Sequence, residues 1–183
     1  MSTRTQIDFI NKARYRDNKT NKLVSYAETR RVYRHSDGYP EGVIPDLKEF
    51  LAWNKGRNTD IEYQTANFIF WNKLHQLSQL SEGERGEISI NELLKKTSSN
   101  DTKYIGFGIC EDSFHADIEY FYEVITEYIE EATAFEDKGI KTTIKAYEVS
   151  RKNWNEEITK ENLKLISTEE VNLNKEITSE VLI

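Results

Sequence analysis

Two short motifs in this chain repeat the same chemistry. His35-Ser36-Asp37 and His115-Ala116-Asp117 each set an imidazole and a carboxylate at i and i+2. On an extended strand that spacing puts both side chains on one face. If the two strands were neighbours, His35, Asp37, His115 and Asp117 would be weak candidate ligands for Zn²⁺ or a similar divalent ion, as in a metal-dependent hydrolase. The chain has only three histidines but 32 acidic residues, so a His with a nearby acid arises readily by chance. A wet strand face explains His115, Asp117 and Glu119 more simply.

The first motif lies in a denser cluster, Arg34-His35-Ser36-Asp37-Gly38-Tyr39-Pro40-Glu41-Gly42. Asp37-Gly38 predicts a sharp turn, because Gly accepts positive φ and Asp bonds nearby backbone N–H groups. Pro40 stiffens the exit. The candidate ligand-binding residues are Tyr33, Arg34, His35, Asp37 and Tyr39: Arg34 or Arg31 to meet negative charge, Tyr39 to stack, Asp37 to shape the turn. Arg30 belongs to the same basic cluster, and Tyr120 or Tyr122 could complete a pocket for a small anionic, nucleotide-like ligand. Strand parity divides the cluster, with Tyr33 and His35 on one face and Arg34 on the other. The bend after Asp37 must then carry Tyr39 to whichever face is used. The same residues also read as a plain strand-to-helix corner.

Other chemistry is weakly represented. Cys110 stands near Asp112 and His115, but an acidic neighbourhood raises a thiol pKa and leaves a small buried apolar residue as the simpler reading. Gly106-Phe107-Gly108 lacks the third glycine of a dinucleotide fingerprint, and close backbone packing or a bulge explains it better. No P-loop, nucleophile elbow, zincin motif or paired-cysteine motif is present, so no cofactor is expected. His75 falls within a helical pattern.

The elements that must position these residues are read from periodicity. Gln6–Ile10 alternates as a short strand, Asn11–Asn21 is a polar loop, and Lys22–Ser36 is strand-like. Pro45 suits the first turn of a helix carrying Leu47, Phe50 and Leu51, with Asp46 at its positive end and Gly56 after it. Asp60 predicts the N-cap of a longer helix whose face is Tyr63, Ala66, Phe70, Leu74 and Leu77. A short third helix is expected over Ser89–Leu94. Tyr104–Cys110 and His115–Ile125 read as strands. Glu127–Gly139 is an acidic connection, and Lys141–Val149 completes a long antiparallel hairpin. Ser167-Thr168-Glu169-Glu170 has the capping-box pattern and predicts a helix near the end. The expected fold class is α+β, an antiparallel β-sheet with two or three helices packed on one face. Residues 1–154 form a single domain, and 155–183 a C-terminal extension of uncertain structure.

Composition narrows the function classes. The chain has 183 residues, enough for a sizeable core, and 3 Trp, 10 Tyr and 8 Phe to fill it. A net charge of −7 disfavours generic nucleic-acid binding and anionic membrane surfaces. A single cysteine excludes an intrachain disulfide. Met1–Gln6 lacks the apolar stretch of a signal peptide, and the longest apolar run, Phe68–Trp71, is far short of the ~20 residues that span a bilayer. These features read as a soluble cytoplasmic protein; its oligomeric state is left open.

The opening Met-Ser-Thr-Arg, the segment Tyr33–Gly42 and the later Ile118-Glu119-Tyr120-Phe121-Tyr122 resemble a widespread group of small uncharacterised bacterial and phage proteins with an N-terminal MSTR and a Y-x-H-x-D-G-Y-P turn. Ser36 stands where that group often carries an aromatic residue. The resemblance implies a small α+β fold and an accessory protein that binds a host component or a signalling nucleotide.

Three functional readings follow: a binding protein for a small anionic ligand or a host protein at the Arg34–Gly42 turn; the metal-dependent hydrolase; and a protein-interaction or inhibitor module using the acidic Glu127–Asp137 segment.

Overall fold

The structure, a computed structural model, describes residues 3–17, 19–81, 106–111, 113–128, 140–151, 153 and 155–173. In chain order its elements are β1 (Thr5–Arg16), β2 (Leu23–Arg34), α1 (Pro40–Trp53), α2 (Ile61–Ser81), β3 (Phe107–Cys110), β4 (Tyr120–Tyr128), β5 (Ile140–Val149) and β6 (Leu163–Val171). The strands form one six-stranded sheet in the order β3-β2-β1-β4-β5-β6. The class is α+β, as the element pattern predicts.

The sheet is mixed, however, and not wholly antiparallel. β1 pairs with β4 in parallel, Thr5 beside Tyr120 through Lys12 beside Glu127, while the other four pairings are antiparallel. Each antiparallel hairpin, β1–β2 and β4–β5, is a local product of alternation and a turn. The parallel joint fuses the first strands of the two hairpins, and side-chain alternation has the same period in either direction.

β1 is longer than its composition suggests. The polar stretch after Ile10 stays extended to Arg16 because all twelve residues of β1 find partners on β2. Cross-strand pairing outweighs the weak strand preference of Asn11, Lys12 and Arg14. The hairpin turns at Asp17, whose Oδ1 accepts the backbone N–H groups of Lys19 and Thr20 at 3.0 and 2.6 Å.

Both helices lie over the sheet face that carries Ile7, Phe9, Val32, Tyr122, Val124 and Ile144. α1 begins earlier than expected. Pro40 takes the first helical position, where its missing N–H costs nothing, and Pro45 sits inside the helix. Asp46 is therefore past the first turn.

The buried side of α2 also differs from the apolar stripe in its sequence. Ile61, Gln64, Thr65, Phe68, Trp71 and Asn72 face the sheet and α1, whereas Tyr63 and Phe70 are each 55% exposed. Both sides of this helix carry aromatic residues, so periodicity alone does not choose between them. Ring packing does: Phe68 lies 5.2 Å from Phe9 and 5.1 Å from Phe50, both edge-on, and Trp71 lies 6.1 Å from Phe50.

Two further expectations change. His115–Asp117 forms a turn before β4, and the strand starts only at Tyr120. Ser167–Glu170 lies in β6, paired with β5 from Ala146 to Thr143; edge pairing overrides the helix-start pattern. Residues 155–173 are thus continuous with the sheet: Ile158 and Leu163 pack with Phe121 on the face away from the helices, and Leu173 joins the main core. The third helix over Ser89–Leu94, the connection from residue 129 to 139 and the terminal Val181–Ile183 lie outside the described residues.

Candidate functional site

The corner after β2 is held by backbone contacts before any side chain is free to meet a ligand. His35 N donates to Gly106 O at 2.7 Å, Gly38 N to Thr3 O at 3.0 Å, and the Tyr122 hydroxyl to Gly38 O at 2.8 Å. Asp37 itself takes the left-handed conformation, at φ 54°, a region Asp tolerates better than most residues. Gly38, by contrast, is required for close approach: a Cβ there would lie 3.0 Å from Thr5 Cβ and 3.1 Å from Thr3 O. The strained residue is therefore the one before the glycine that the sequence nominated.

Tyr122 gives this corner a pH dependence. Its side chain is fully buried, and burial raises its hydroxyl pKa above the tyrosine value of 10.0. A raised folded-state pKa means stability intact below pH ~10 and lost above it, as the unfolded chain ionises first. Stability should fall in alkali by up to about 1.4 kcal/mol per pH unit for this group. In urea titrations, Tyr122→Phe should make that limb shallower while costing about 1 kcal/mol at neutral pH from the lost hydrogen bond. An unchanged alkaline limb would contradict the assignment.

The five residues proposed for one ligand site do not converge. Arg34 lies on the helix face, 6% exposed; its Nη1 meets Asp46 Oδ2 at 2.7 Å and its Nε donates to Ser36 O at 2.9 Å. It clamps the turn to α1. Arg31 is equally committed, forming a two-point ion pair with Asp8 at 2.5 and 2.7 Å under the rings of Phe114 and Phe121. Tyr39 stands at the N-cap position of α1 without a side-chain cap bond, and its ring sits 6.0 Å from Tyr120, whose register partner Thr5 belongs to the helix-side row. Asp37 is exposed at the tip of the turn.

Tyr33 and His35 do stay together on the open face, as strand parity requires, and two distant segments join them. The Tyr33 hydroxyl lies 3.2 Å from His35 Nδ1, and the His115 ring stacks on the Tyr33 ring at 4.5 Å between centroids and 23° between planes. Arg4 Nε approaches Asp117 Oδ2 at 3.3 Å. Burial, and then the Asp117 carboxylate, raise the Tyr33 pKa, with Arg4 opposing. His115 is placed by Gln6, whose Oε1 accepts the His115 N–H at 3.1 Å while its Nε2 donates to Cys110 Sγ and Ser113 O, both at 3.2 Å. Gln6 and Asp8 carry no motif, and Arg4 stands in the MSTR opening, to which no role attaches. Only the position of β1 between β2 and β4 brings them here, so sequence reasoning had no signal for them.

Among the described residues no three His, Cys, Asp or Glu side chains converge as metal ligands. His35 and His115 flank Tyr33, Asp117 is turned to Arg4, and the second motif is a turn instead of a strand, so the two motifs do not form the facing pairs the hydrolase reading needs. Cys110 holds its proton, since burial raises its thiol. No described helix is long and apolar enough to cross a membrane. The Glu127–Asp137 module rests largely on residues outside those described.

Comparison with protein-family models, curated proteins and solved structures finds no match to this chain.

Proposed function

We propose that the chain is a binding protein that takes a small, planar, anionic ligand of nucleotide-like shape on the open-face corner of Tyr33, His35 and His115. The observation that carries this reading is the Tyr33–His115 stack with the Tyr33 hydroxyl on His35. It places two exposed imidazoles around a half-buried phenol at the end of a sheet. A flat ring system can extend such a stack, and imidazole N–H groups donate to phosphate or carboxylate oxygens. Arg4 takes the place of the buried Arg31 and Arg34 as the partner for negative charge: its ion pair with Asp117, at 3.3 Å, is partly exposed on this corner. Arg34 and Asp37 hold the turn and do not touch the ligand.

Equilibrium binding of a nucleoside monophosphate, with inorganic phosphate and the bare nucleoside as controls, tests the reading. Tyr33→Ala and His115→Ala should each weaken binding about tenfold, the scale of one lost stacking partner. Arg34→Ala should lower the melting temperature instead. Equal affinity in wild type, Tyr33→Ala, His35→Ala and His115→Ala, or no binding by the wild type, would remove the corner as the site.

A further inference from the structure

On the helix side of the sheet, far along the β1–β2 hairpin from the turn, a cleft of about 760 Å³ opens between the hairpin and the α1–α2 connection. One wall carries Asn11, Ala13, Tyr26 and Glu28; the other carries Lys55, Arg57 and the start of α2. The hairpin wall is ordered by register. Asn11 lies opposite Glu28, and Ala13 opposite Tyr26, so these four form two adjacent cross-strand pairs on one face. Directly opposed residues hold their Cβ atoms about 4.5–5.5 Å apart.

Asn11 is the anomaly. It is only 4% exposed, and its Nδ2 is tied to Thr59 O at 2.7 Å, which fixes the amide orientation. Its Oδ1 is left buried without any donor. A buried acceptor without a partner loses the full desolvation free energy of that group, and native structures seldom leave one so. The missing partner must be a donor, and the adjoining Glu28 carboxylate favours a positively charged one.

The charges of the cleft agree. Arg57 pairs with Asp60 at 3.5 Å, and Glu62 with Arg30 at 3.4 Å. Among the described residues, Glu28 on one wall and Lys55 on the other have no ion-pair partner. Tyr26, 43% exposed and next along the same face, offers its ring to a cation.

We propose that this cleft binds an organic ammonium group, held by Asn11 Oδ1 and the Glu28 carboxylate with the Tyr26 ring beside it. The ammonium supplies three N–H donors, enough for the amide oxygen and the carboxylate together. Lys55 on the opposite wall is placed for a carboxylate at the far end of a zwitterionic ligand. Two sources share this chemistry, amino acids and aliphatic diamines, and they differ in the group offered to Lys55.

Titration calorimetry of the whole chain with 1,4-diaminobutane, with lysine and with N-acetylated forms of both tests the proposal. Each free amine should bind, and acetylation of its amino groups should abolish the heat. Glu28→Gln, at a half-exposed position, should weaken binding about tenfold or more, as expected for a lost charge-assisted hydrogen bond. Tyr26→Leu should weaken it by several-fold. Tighter binding of lysine, with the preference lost in Lys55→Gln, assigns the source as amino acids; tighter binding of the diamine assigns polyamines. Asn11→Ala should also weaken binding, and if that variant does not fold, Glu28→Gln and the acetylated controls decide. Absence of amine binding, equal binding of acetylated forms, or an unchanged affinity in Glu28→Gln overturns the proposal.

Discussion

Replacing Arg31 by methionine, with Asp8 left in place, is expected to lower the unfolding free energy by about 3–5 kcal/mol. The pair is 7–8% exposed at the side chains and bonded at two points. Phe114 and Phe121 cover the guanidinium. Removing the cation leaves a carboxylate in an apolar setting, directly beside Glu123 on the neighbouring parallel strand. Removing both charges behaves differently, because desolvating two ions offsets most of their attraction. The double variant Asp8→Leu/Arg31→Met should recover most of the loss and lie close to wild type. Urea titrations of the two single variants and the double variant supply the coupling energy. Additive losses would show that the pair is not an interacting unit.

Phe50→Ala is expected to cost about 3–5 kcal/mol. Phe50 is fully buried, and its ring meets Phe9, Phe68 and Trp71 at 5.1–6.1 Å, so truncation opens a cavity between α1, α2 and the sheet. The control lies on the other side of α2. Phe70→Ala should change stability by no more than about 0.5 kcal/mol, as for a surface position. Thermal and urea unfolding measure both. A large loss at Phe70 with a small one at Phe50 would reverse the helix face assigned to the core.

The site was legible in the sequence only where it is local. Tyr33 and His35 share a face because they stand two apart on a strand, and the structure keeps them together. Arg34, one residue between them, had to point the other way, and it does. Its loss to Asp46 was not legible, because a guanidinium on a strand face gives no sign of which helix covers that face. His115 reached Tyr33 through a turn that its alternating sequence disguised as strand.

What the sequence by itself determined is therefore the set of local elements: strands at the cores of β1 and β2, a helix carrying Leu47, Phe50 and Leu51 though not its start at Pro40, the long α2, the β4–β5 hairpin, and an α+β class with an aromatic core. Each follows from side-chain period and turn chemistry within a dozen residues. Tertiary structure alone decided the parallel joint between β1 and β4, the side of α2 that is buried, the placing of Ser167–Glu170 in an edge strand where its pattern predicts a helix, and the long-range partners of the candidate residues. The reason is common to all four. Periodicity records which residues lie together on one element, whereas direction, facing and pairing depend on the burial and hydrogen bonds that distant elements offer. Where an element is amphipathic on two sides or polar throughout, those distant partners settle its role.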